Sequence, residues 1–217
     1  MNTLKIIDLA APTVPAAEHD GLITLESLSS ALEINIANSI HFKQGDNIEL
    51  FINGNSTKIS QIITDSSNPV YLMYLPTDYL THEGNYKIGY ELTGFPSGSP
   101  IDSHTVTIRI DRTAPGATLL APIIFPQINF GEVLKGAIPG YADMQSGDRI
   151  QTLCNGIEGP VHVVTAHDLT DRPVQIGFER DFLTSLDSEH ITFSYQITDR
   201  AGNVSIMAQL VELSIQR

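Results

Sequence analysis

The stretch "GDNIELFINGN" at residues 45–55 reads as one strand with a turn at each end. Ile48, Leu50 and Ile52 alternate with Asn47, Glu49 and Phe51, between the turn pairs Gly45-Asp46 and Asn53-Gly54. Successive strand side chains point to opposite faces, so this alternation makes one buried and one wet surface. Glycine and asparagine tolerate the positive φ that tight turns demand. The same pattern returns in "GDRIQTLCNGI" at 147–157, an offset of 102.

Working outward, "YLPTDYLT" at 74–81 matches "FERDFLTS" at 178–185 with an offset near 104. "YKIGYELTG" at 86–94 matches "ITFSYQITD" at 191–199, and "VTIRIDR" at 106–112 matches "VELSIQR" at 211–217, both at 105. Order is kept throughout, so one unit is present twice. The period stays at two: Leu32, Ile34 and Ile36 share a face, as do Val106, Ile108 and Ile110. In the second copy Ile191, Phe193, Tyr195 and Ile197 do the same, followed by Val211, Leu213 and Ile215. About seven strands per copy imply two packed antiparallel sheets. The predicted fold is all-β, two tandem sandwich domains, 1–111 and 112–217. Residues 76–83 and 180–187 are each predicted to hold a helical turn, with little helix elsewhere.

The joint falls in "IDRTAPG", where Pro115 disfavours helix at Ala114 and calls for an extended connection. "DRAGNVS" at 199–205 reads as a turn between strands at 191–198 and 205–215, with Gly202 and Asn203 able to take positive φ. The first copy has "TGFPSGSPIDS" there, a longer connection.

Composition excludes some functions. Hydrophobic residues make up 41% of the 217, enough for a packed core, and a net charge of −13 repels phosphate backbones and anionic lipid. Neither a nucleic acid nor a membrane surface is an expected partner. No run of 18 apolar residues is present, so no membrane span is predicted. The N-terminal "MNTLKIIDLAAPTVPAAEHD" is interrupted by Asp8, Pro12 and Pro15 and makes a poor secretory signal. Cys154 is the one cysteine, so no intrachain disulfide forms, and its alternation with Ile150 and Thr152 marks a buried strand residue.

These motifs together resemble bacterial immunoglobulin-like repeat domains, the sandwich modules strung in tandem in large surface and adhesin proteins. The resemblance rests on Gly45 to Gly54 and Gly147 to Gly156, on Tyr195 to Ser205, on Val211 to Ile215, and on Asp111 to Pro115. It covers nearly the whole chain, although the first copy lacks the Asp-x-Ala-Gly-Asn motif. It implies two immunoglobulin-like sandwiches, a structural or adhesive role, an extracellular or cell-surface setting and no catalytic residues.

The residues themselves offer little chemistry. His162 and His167 fall on opposite strand faces, and neither HExxH nor a Cys/His zinc pattern occurs. "GFPSGS" at 94–99 is not a nucleophile motif. Asp168, Asp171, Asp181, Asp187 and Glu179 are acid/base candidates by proximity alone. Asp111, Asp143, Asp148 and Asp199 are candidate calcium ligands near the joint, since hard cations take several oxygens; no other cofactor is expected. Trp is absent, Tyr86 and Tyr90 face one way and read as core, and Tyr141 falls in a loop read as exposed.

The leading expectation is a non-enzymatic spacer or cell-surface adhesive segment, as a monomer or part of a longer array. The alternatives are a specific protein-binding module, or an accessory domain of a larger secreted toxin or enzyme. Edge strands and the copy-variable segments 94–104 and 157–173 are where a protein or cell-surface ligand is expected.

Overall fold

The computed structural model describes residues 7–127, 131–171 and 173–214. The chain divides into two compact units, Met1–Arg112 and Thr113–Arg217, and its regular structure is nearly all β. The first unit contains β1 (Leu22–Ile23), β2 (Leu32–Ala37), β3 (Asn47–Ile52), β4 (Asn55–Ile62), β5 (Val70–Leu75), β6 (Gly84–Thr93), β7 (Ile101–Asp102) and β8 (Val106–Ile110). The second contains β9 (Val133–Ile138), β10 (Arg149–Cys154), β11 (Ile157–Val163), β12 (Val174–Glu179), α1 (Arg180–Ser185), β13 (His190–Thr198) and β14 (Val211–Ser214). The helical turns expected within 76–83 and 180–187 are a 3-10 turn at Thr77–Leu80 and α1.

Each unit is a sandwich. The larger sheet of the first unit runs β1-β8-β6-β3-β4 with β7 also on β6, and the smaller pairs β2 with β5. In the second unit β11-β10-β13-β14 faces β9-β12. The alternating residues meet between the sheets. Leu32, Ile34, Ile36, Met73 and Leu75 from one sheet pack in a single core with Ile48, Leu50, Ile88, Leu92, Ile108 and Ile110 from the other. The second core is built the same way around Phe125, Phe178 and Phe193, whose ring centroids lie 4.7–5.9 Å apart. Burying side chains of this size stabilises by roughly 1.5–3 kcal/mol each.

The two units share register as well as order. Leu32 faces Leu75 and Leu134 faces Phe178, while Asn47 faces Thr93 and Arg149 faces Thr198. Even an irregularity recurs: the ladder of β3 with β4 shifts between Glu49 and Phe51, and that of β10 with β11 shifts between Gln151 and Leu153. Register also moves one alignment. Buried Leu80 and Leu183 occupy the same place, so that segment repeats at 103, not 104.

A polar pair has changed strands between the copies. Thr57 Oγ1 on β4 donates to Leu50 O at 2.8 Å; at the matching places stand Gly159 and Thr152, and Thr152 Oγ1 donates to Pro160 O at 2.6 Å. A Cβ on Gly159 would sit 2.8 Å from Thr152 Oγ1. One hydroxyl fits between these strands, on either side.

Two features depart from expectation. The sheets are not wholly antiparallel, because β1 runs parallel to β8 with Leu22 facing Arg109. The chain before β1 touches both sides of the sandwich. Leu9 bridges to Ser103 in parallel, and its O accepts the His104 N–H at 2.9 Å, between β7 and β8. Thr13 then exchanges backbone bonds of 2.8 and 2.9 Å with Asn35 of the smaller sheet before β1 joins the larger one. The last strand also begins later than 205. Ser205 Oγ accepts the Ile197 N–H at 2.9 Å, taking the place of a ladder carbonyl, and the regular strand starts at Val211. Ile215, residues 1–6 and Arg172, all within segments read above, lie outside the described residues.

Candidate interaction surface

The turn pairs of the opening motif are structural devices. Asn53 and Gly54 both have positive φ, 51° and 77°, and Asn155 and Gly156 repeat this at 51° and 79°. Each is a two-residue loop of the kind that matches strand twist. The Asn side chains reach a third strand: Asn53 Oδ1 accepts the Lys87 N–H at 2.9 Å, and Asn155 Oδ1 accepts the Thr192 N–H at 2.8 Å.

Asp46 and Asp148 are buried carboxylates, a role their place in Gly-Asp turn pairs did not reveal. Asp46 accepts the Lys43 and Phe95 N–H groups at 2.9 and 3.0 Å. Asp148 accepts the Gln145 N–H at 2.9 Å and the Tyr141 hydroxyl at 2.8 Å. Gly45 and Gly147 precede them because φ is 95° and 100° there, and because Phe95 or Arg200 packs where a Cβ would stand. Tyr141 is therefore not an exposed loop ring; it lies half-buried against the second core with its hydroxyl on Asp148.

The four Asp residues considered for calcium are placed as follows. Asp148 has the partners just given. Asp199 accepts the Asn203 N–H and the Asn203 Nδ2 group, both at 2.8 Å, closing "DRAGNVS" as a turn with φ 95° at Gly202. Asp143 has φ 58°, and Asp111 lies beside Arg109, 3.2 Å from its Nη1. Among the described residues, the three-residue group of His, Cys, Asp or Glu with ligand atoms within 4.8 Å of one another is Glu18, His19 and Asp20, at the surface.

The acid/base candidates serve separate places. Asp168 accepts the Thr165 N–H and hydroxyl, both at 2.7 Å, and pairs with His162 at 3.0 Å. Those bonds, the Thr165 backbone first, pull its carboxyl down to about 2. His167 lies 3.9 Å from Asp171, so the two histidines have different partners. Asp181 stands in the first turn of α1, and Asp187 has φ 48°. Cys154 is buried, and burial pushes its thiol up to about 12.

Of the two copy-variable segments, 157–173 is loop only in part, because the two-residue turn at Asn155-Gly156 leads directly into β11. The segment 94–104 builds a surface. Its Ile101 and Asp102 form β7 on β6, and Ser103 Oγ then accepts the Tyr90 N–H at 2.9 Å. The chain crosses close over Gly89, where a Cβ would lie 3.1 Å from Thr105. This crossing walls a groove of about 390 Å³ on the outer face of the larger sheet, lined by Phe51, Lys87, Glu91, Asp102, Ser103 and Thr105. Glu49, Glu91 and Asp102 stand in register across β3, β6 and β7. The groove thus offers carboxylates to a hydrogen-bond donor beside an apolar ring. At the matching places the second unit has Leu153, Thr192, Gln196 and Met207. The segment is not longer than its counterpart, since Thr93 to Val106 and Thr198 to Val211 keep the same offset of 105; its composition was the sequence signal, and no motif marked it.

No family model matches the chain, and no curated protein does. Among solved structures, the chain is similar to one from a study of host cell surface retention of a 1.5-MDa bacterial ice-binding adhesin, with 16% identity and a TM-score of 0.51. That match covers 96% of this chain, which spans 64% of that structure's length. Fibronectin(III)-like modules of Clostridium thermocellum CbhA match at 13% identity and TM-score 0.46, over 95% of this chain and 93% of theirs. The FN1-FN3 domains of chicken CNTN1 match at 10% and 0.46, over 96% and 68%. The adhesin likeness, at 16% identity, bears on the fold alone. The fold is all-β, a pair of immunoglobulin-like sandwiches.

Proposed function

We propose that the chain is a non-catalytic pair of sandwich modules that serves as a structural and adhesive segment of an extracellular or surface protein, with the groove of the first module as its contact for a cell-surface ligand. One observation supports this most. The two units keep the same register, bulge, Asn-Gly corners and buried Asp, yet differ in chemistry on the outer face where 94–104 crosses. Shared internal devices with a divergent face suit a scaffold that is repeated for mechanics and specialised for contact. Membership of the bacterial immunoglobulin-like repeat family is part of this proposal, and the motif resemblance supports it.

Two measurements test it. Pulled by its ends, the chain is expected to unfold in two steps, each releasing about 35 nm for a module of this length. A single step releasing the whole chain would overturn the modular reading. Beads coated with the chain are expected to adhere to cells of the source organism's habitat, and a chain with 94–104 replaced by the equal-length segment 199–209 of the second copy is expected to lose that adhesion. Unchanged adhesion would remove the groove from the proposal and leave the spacer role.

A further inference from the structure

Strand β5 has an unprotected edge. Among the described residues its one ladder partner is β2, which leaves its other side open. The sequence "VYLMYL" has no charge and no proline, the residues with which proteins commonly guard open edges. Tyr71, Met73 and Leu75 point into the core, while Val70, Leu72 and Tyr74 point outward and are 40%, 49% and 56% exposed. The matching strand of the second unit is guarded. On its outer face β12 has exposed Gln175 and half-buried Gly177 where β5 has Leu72 and Tyr74, followed by exposed Glu179. The neighbouring strand carries a charged residue at this place in both units, Lys135 across from Gly177 and Glu33 across from Tyr74.

Charge says what fits this edge. Residues 6–42, which include β2, hold five Asp or Glu and no Lys or Arg. Residues 59–86, which include β5, hold three Asp or Glu and again no Lys or Arg. Glu33 stands opposite Tyr74, and Asp65 and Asp78 precede and follow the strand. A second copy, with its net charge of −13, would bring like charge to this edge. An extended segment alternating apolar and basic side chains would complete the ladder, lay its apolar residues beside Val70, Leu72 and Tyr74, and bring positive charge to an edge whose flanking chain, with Asp65 and Asp78, is acidic.

We propose that β5 is a docking edge for an extended basic segment of another protein, which adds to the β2-β5 sheet as a further strand. This surface is separate from the groove, and either reading can fail without the other.

The test uses the full chain and a heptapeptide of alternating Lys and Val as probe, with an alternating Glu and Val heptapeptide and an N-methylated basic peptide as controls. Hydrogen exchange with the basic peptide is expected to slow the backbone amides of Val70–Leu75. Leu72→Lys with Tyr74→Lys is expected to weaken binding at least about tenfold by adding like charge to the docking edge. These side chains are exposed, and circular dichroism checks that the variant folds. Leu72→Thr alone, which keeps strand propensity, is expected to weaken binding less. Loop exchange at 94–104 leaves this binding unchanged. The proposal is overturned if the amides of 70–75 show no slowing, if slowing falls on the groove instead, or if the acidic or N-methylated peptide binds as well. It is also overturned if sedimentation shows a wild-type dimer that Leu72→Lys dissolves, since the occupant would then be a second copy.

Discussion

Asn53 and Lys87, 34 residues apart, are joined both ways: the Asn53 N–H donates to Lys87 O at 2.8 Å, and the Lys87 N–H donates to Asn53 Oδ1 at 2.9 Å. Asn155 and Thr192 repeat the pair at 2.9 and 2.8 Å. A two-residue turn thereby pins a third strand. Asn53→Ala combines a lost acceptor with a left-handed backbone that alanine disfavours, and is expected to lower stability by about 2 kcal/mol. Asn53→Gly keeps the backbone and is expected to lower it by about 1 kcal/mol. Urea denaturation of both variants orders them, and an alanine variant as stable as wild type would refute the pinning role.

Asp148 joins Tyr141 and Gln145 in a buried turn. Asp148→Ala leaves two donors without their acceptor and is expected to cost about 2–4 kcal/mol, whereas Tyr141→Phe removes one donor and costs about 1. Thermal melts of the two variants provide the comparison. Equal losses would mean that the Tyr141 hydroxyl, and not the carboxylate, organises the turn.

Asp168 titrates near 2 in the folded protein, below its ordinary 3.8. A carboxyl lowered on folding stabilises the protein above its unfolded value and loses that contribution as pH falls through the folded one. Stability is therefore expected to drop between about pH 4 and pH 2, and Asp168→Asn should flatten that part of the profile. An unchanged slope in the variant would assign the acid limb to other carboxyls.

Cys154, with its thiol near 12 and its side chain buried, should resist iodoacetamide at pH 8. Alkylation is expected to follow global unfolding in urea. Rapid modification of the native chain, seen by mass spectrometry, would contradict the packing of the second core.

Calcium at Asp111, Asp143, Asp148 and Asp199 is an expectation of the sequence with a direct check. Asp148 and Asp199 already accept donors from their own turns, so the melting temperature is expected to be the same in calcium and in chelator. A rise of several degrees with calcium alone would favour an ion.

Much of the sandwich was legible because its information is local. Alternation at Ile48, Leu50 and Ile52 assigns a face within one strand, and Asn53-Gly54 marks its end, both from neighbouring residues. The partner of each strand was less visible. The parallel pairing of β1 with β8 joins Leu22 to Arg109, 87 residues away, and nothing near Leu22 encodes it. The late start of β14 depended on the Ser205 hydroxyl, whose acceptor role exists only once Ile197 lies beside it.

By itself, then, the sequence determined that the regular structure is strand apart from short helical turns, that one unit occurs twice, and where its turns fall, since period and turn chemistry act over a few residues. Only the tertiary structure decided that Asp46 and Asp148 are buried, that Tyr141 is held inward, that residues 101–105 wall a groove, and that β5 has an open edge. Burial and edges are properties of what lies across the sheet, and distant parts of the chain supply that.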